Sequence, residues 1–76
     1  TTFEFECPRL SHVTLEIYDI LGHKIKTIVN EERAKGRYAE TWHSEDEWGQ
    51  LVPAGIYIAR LTAGEFEHSI KLTLIK

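Results

Sequence analysis

His12-Val13-Thr14-Leu15-Glu16-Ile17-Tyr18-Asp19 alternates without a break, with Val13, Leu15 and Ile17 on one side and Thr14, Glu16 and Tyr18 on the other. Successive side chains of a strand point to opposite faces, so this stretch reads as a half-buried β-strand. Asp19-Ile20-Leu21-Gly22 then supplies a turn, with Gly22 free to take a positive φ. Lys24 to Asn30 resumes an extended run rich in β-branched residues, namely Ile25, Thr27, Ile28 and Val29.

The same period continues in both directions. Upstream, Phe3, Phe5 and Cys7 alternate with Glu4 and Glu6 until Pro8, which cannot donate to a ladder. Downstream, Glu31-Glu32-Arg33-Ala34-Lys35 has helical propensity but is too short to hold a helix and lacks an apolar stripe, so a loop is expected. Arg37 to His43 is extended again. There Glu40 shares its phase with Tyr38 and Trp42, which predicts an edge strand or a bulge. Leu51-Val52 reads as a short strand before the turn Pro53-Ala54-Gly55. Ile56 to Thr62 and Phe66 to Ile75 complete the set around Ala63-Gly64, the last with Ile70, Leu72 and Leu74 on one face. About seven short antiparallel strands separated by turn signals imply an all-β, immunoglobulin-like β-sandwich. At 76 residues the chain has room for one domain, spanning residues 1–76.

Composition removes several classes of function. No stretch approaches the ~20 apolar residues of a bilayer-spanning helix, so no membrane span is expected. The N-terminus has no basic, apolar and small-residue leader, so an export signal is expected outside the chain or in another form. Nine Lys and Arg stand against twelve Asp and Glu, which gives no basic excess for nucleic acid. Five of the basic residues (Lys24, Lys26, Arg33, Lys35, Arg37) fall close together, and Glu45-Asp46-Glu47 is acidic; both read as solvated turns.

Catalytic and metal chemistry is not indicated either. Cys7 is alone, so it has no disulfide partner and reads as a small buried thiol. His12, His23, His43 and His68 lack the close-spaced pair of a zinc site. Glu45-Asp46-Glu47 lacks the alternate-residue ligand spacing of a calcium loop. There is no nucleophile elbow, no phosphate-cradling glycine loop, and no evident cleft for a pair of catalytic carboxylates. The expectation is a domain with no enzymatic activity and no cofactor. Trp42 lies in strand phase and belongs to the core. Trp48 sits in a polar loop, where an exposed ring would offer contact area to a sugar or a protein.

The order of landmarks is more specific than any one of them. Val13-Thr14-Leu15-Glu16-Ile17-Tyr18-Asp19-Ile20-Leu21-Gly22-His23-Lys24-Ile25 is followed by Ala34-Lys35-Gly36 and Thr41-Trp42. Asp46-Glu47-Trp48-Gly49-Gln50-Leu51-Val52-Pro53-Ala54-Gly55-Ile56-Tyr57 and Ile70-Lys71-Leu72-Thr73-Leu74-Ile75-Lys76 come next. This series resembles the C-terminal sorting domains of cargo of the bacterial type IX (Por) secretion system, which are similar to the Ig-like domain of flagellar hook-capping proteins. His43-Ser44 departs from the Asp-Gly that follows the tryptophan in that pattern. Glu40 replaces an apolar residue.

The resemblance implies a secreted or cell-surface location at the bacterial outer membrane, at the C-terminal end of a larger exported protein. It implies as partners the secretion machinery or a cell-envelope protein, together with parent domains N-terminal to this one. Gly55, Tyr57, Lys71 and Lys76 match positions of the recognition motifs. Two alternatives stand beside this reading. One is a structural Ig-like domain of a flagellar hook-assembly scaffold; the other is a carbohydrate-binding accessory domain of a secreted hydrolase.

Overall fold

β2 (Ser11–Asp19) is the strand around which the rest assembles. A computed structural model describes residues 1–75 and, among them, six strands. The others are β1 (Thr2–Cys7), β3 (Lys24–Arg33), β4 (Gly36–Thr41), β5 (Gly55–Ala63) and β6 (Phe66–Leu74). One sheet has the order β3-β2-β5-β6; the other contains β1 and β4, and every neighbouring pair is antiparallel. The two layers form a small Ig-like sandwich.

Alternation fills the interior as expected. Val13, Leu15 and Ile17 of β2 and Tyr57, Ala59 and Ala63 of β5 are buried, opposite Phe3 and Cys7 of β1. Trp42 and Val52, on the connection from β4 to β5, close one end, and Trp42 is only 2% exposed. Its ring meets Tyr57 edge-on with centroids 5.4 Å apart, a geometry the aromatic quadrupoles favour. The Cys7 thiol is buried and donates to the Arg9 carbonyl at 3.0 Å.

Three expectations need correction. The described residues form six strands, because Leu51 makes only an isolated bridge with Glu45 and Val52 packs as a single core residue. The expected loop over residues 31–35 is largely strand: β3 runs to Arg33, where Glu31, Glu32 and Arg33 pair with Val13, His12 and Ser11. The long partner β2 overrides local helical propensity there. The strand expected over 37–43 is β4, Gly36–Thr41, and Trp42 lies just beyond it.

Glu40 does point to the same side as Tyr38, without a bulge in the β1–β4 register. Arg33 accounts for this placement. Its guanidinium binds Glu40 at 3.1 Å and Glu31 at 2.7 Å, and lies 4.8 Å from the centre of the Tyr38 ring. Those carboxylates, Glu31 first, hold the Arg33 pKa above its usual value, so the charge that makes Glu40 tolerable is permanent.

The layers are unequal. Two strands cannot cover four, and the first half of β6 is left open: Phe66 is 59% and Ile70 40% exposed, while Leu72 and Leu74 further along pack against the core.

Candidate functional site

Two loops at the end where β2 turns into β3 and β5 begins have the same construction. In the first, the Asp19 N–H donates to His23 O (3.0 Å) and the Gly22 N–H to Asp19 O (3.1 Å). The Asp19 carboxylate accepts from the Leu21 and His23 N–H groups, both at 2.9 Å. In the second, the Asp46 N–H donates to Gln50 O (2.9 Å) and the Gly49 N–H to Asp46 O (3.1 Å). The Asp46 carboxylate accepts from the Trp48 and Gln50 N–H groups at 2.9 and 3.0 Å. The glycines take φ of 87° and 79°, the left-handed region that favours glycine.

Each loop is therefore an Asp-x-x-Gly turn closed by its own first side chain, which hydrogen-bonds the backbone two and four residues on. The third residue of each has no inward direction to take and projects into solvent: Leu21 is 77% exposed and Trp48 83% exposed. Ile20 is also exposed. The antiparallel couple Asp19–Tyr57 brings the first loop beside the start of β5. There Ile20, Leu21, Pro53, Ala54 and Ile56 line a shallow apolar depression of about 320 Å³. Large apolar side chains grouped on a surface mark contact sites more often than scattered ones do.

Electrostatics reinforce the first loop. The His23 N–H, then the Leu21 N–H and the His23 imidazole 3.3 Å away, hold the Asp19 carboxyl below the usual carboxylate range. In the second loop the acids are occupied by the fold: Asp46 closes its turn, and Glu47 accepts from the Thr27 N–H at 2.6 Å on the edge of β3. Among the described residues no three His, Cys, Asp or Glu side chains converge.

The sequence candidates occupy different settings. Gly55 opens β5 beside the depression, and a Cβ added there would meet nothing within 4 Å. Tyr57 is buried, and its hydroxyl donates to the Pro53 carbonyl at 2.7 Å; it holds the depression's wall from beneath. Lys71 is exposed on β6, opposite Ile58, on the outer face of the four-stranded sheet. Lys76 lies outside the described residues. Trp48 has no aromatic neighbour among the described residues. Residues Ile20, Leu21, Ala54 and Ile56 were not singled out from sequence. The repeated Asp-x-x-Gly pattern was the signal that could have found the first two.

A model of the FlgD Ig-like domain family matches residues 1–66 of the chain. No curated protein and no solved structure matches it.

Proposed function

The chain belongs to the FlgD Ig-like domain family, and on that premise we propose that it is a noncatalytic structural domain of a flagellar hook-assembly type of scaffold. The family match, which covers 66 of the 76 residues, carries the reading. The chemistry of the surface is consistent with it. What the molecule offers outward is apolar loop residues and strand edges, which suit contact with protein. The exposed Ile20, Leu21 and Ile56 would form the contact and Tyr57 would hold it in place. Immobilised chain should retain purified flagellar hook subunits, and Leu21→Asp with Ile56→Asp should release them. No retention by the unmodified chain counts against the role.

A second reading is supported by residues past the match. Ile70 to Lys76 resemble the terminus of type IX sorting domains and lie beyond residue 66. In that reading the domain would mark an exported protein for the secretion machinery and for attachment at the cell surface. A reporter fused to the chain, in a host with that machinery, should then reach the medium or the surface. Retention in the periplasm dismisses it.

A further inference from the structure

The two-stranded sheet has a free edge with a readable hydrogen-bond pattern. Thr1 and Trp42 exchange both bonds across β1 and β4, at 3.2 and 2.8 Å. Hydrogen-bonded couples alternate along an antiparallel ladder, so Phe3, Phe5 and Cys7 also bond to β4. The N–H and C=O groups of Thr2, Glu4 and Glu6 therefore point away from β4, where no strand pairs with them among the described residues.

That edge looks onto the uncovered part of the larger sheet. Between them lies a cleft of about 190 Å³ walled by Phe3 and Phe5 and floored by Leu15, Leu61, His68 and Ile70. We infer that this edge is a docking site for an extended segment of a partner protein, with apolar residues at alternate positions and Lys or Arg between them. Added beside β1, such a strand bonds to the backbone of Thr2, Glu4 and Glu6 and turns every second side chain down onto Ile70 and Leu61. The intervening side chains rise on the side of Glu4 and Glu6. Glu4 has no ion-pair partner among the described residues, and Glu6 has Arg37 alone at 2.9 Å. Two acids beside the vacant lane select a basic strand. They also disfavour a second copy, since two β1 edges laid together would set Glu4 and Glu6 against like charges. The inference does not depend on the assembly the domain serves, so its failure leaves the scaffold role standing.

Isotope-labelled chain titrated with acetyl-Lys-Val-Lys-Ile-Lys-Val-Lys-amide tests it by amide hydrogen exchange and methyl shifts. Exchange should slow at Thr2, Glu4 and Glu6 but not at Phe3, Phe5 and Cys7, and the Ile70 methyl signals should move. A block-ordered peptide of the same composition, and one with Glu in place of Lys, should leave all of these unchanged. Glu4→Pro removes an N–H that β4 does not use and should weaken binding ~10-fold or more, the equivalent of ~1.4 kcal/mol. Should that variant not fold, Glu4→Lys keeps the backbone and should still weaken binding ~10-fold. No protection of the even-numbered amides, equal binding of the acidic peptide, or undiminished binding to Glu4→Lys each overturns the proposal. So does a dimer of the free chain in which those amides are already slow.

Discussion

The hydroxyl of Tyr57 reaches back four residues to donate to the carbonyl of Pro53 at 2.7 Å, while its ring rests edge-on against Trp42. This one side chain pins the connection into β5 to the core and fixes the wall beside Ile20 and Leu21. Tyr57→Phe keeps the ring and removes the hydrogen bond to Pro53, which should cost about 1 kcal/mol. For a domain of this size that lowers Tm by roughly 4–8 °C, readable in a thermal melt.

Trp42→Ala should be far more severe. A ring 2% exposed leaves a cavity between the sheets, at a cost of about 3–5 kcal/mol, comparable with the whole stability of a small domain. The expected product is unfolded by near-ultraviolet circular dichroism. Trp48→Ala should melt like the parent.

The two tryptophans should also separate optically. Iodide should quench Trp48, which is 83% exposed, and spare Trp42. In Trp48→Phe the remaining emission should be blue-shifted, resistant to iodide, and should move to the red only on unfolding.

Acid should loosen the β2–β3 turn. The folded pKa of Asp19 is lowered, chiefly by the His23 N–H, so its contribution is present above the unfolded value of about 3.9 and is lost as pH falls through the folded pKa. A carboxyl NMR titration should place Asp19 below the ordinary range. The stability gap between the parent and Asp19→Asn should be open at neutral pH and close in acid.

Gly22→Ala should cost about 1 kcal/mol through backbone conformation alone, because an added Cβ meets nothing within 4 Å. Gly22→Asn should cost less, since asparagine tolerates left-handed φ. Denaturant midpoints at constant slope give both values.

Much of the sandwich was legible in the sequence because burial imposes period two. Val13, Leu15, Ile17, Tyr57 and Ala59 fall inside as their phase requires. What escaped the sequence depends on neighbours. Glu31 to Arg33 pair only because β2 is long enough to meet them, and Ile70 is in phase yet 40% exposed because no strand lies above it. The exposed apolar face beside the start of β5 was half visible. Asp19 and Asp46 announce turns, but that each carboxylate closes its own loop is a property of side-chain reach, not of spacing. The same holds for Arg33, whose fork makes room for Glu40 and could not be placed without the fold.

The twin Asp-x-x-Gly turns separate what the protein shows from what keeps it folded. Closure rests on Asp19 with Gly22 and on Asp46 with Gly49, while Ile20, Leu21 and Trp48 stand outside both the ladders and the packed interior. Selection can therefore rewrite those outward letters to suit a new counterpart while the scaffold goes on folding as before, and a laboratory library randomised at the same three positions inherits that licence.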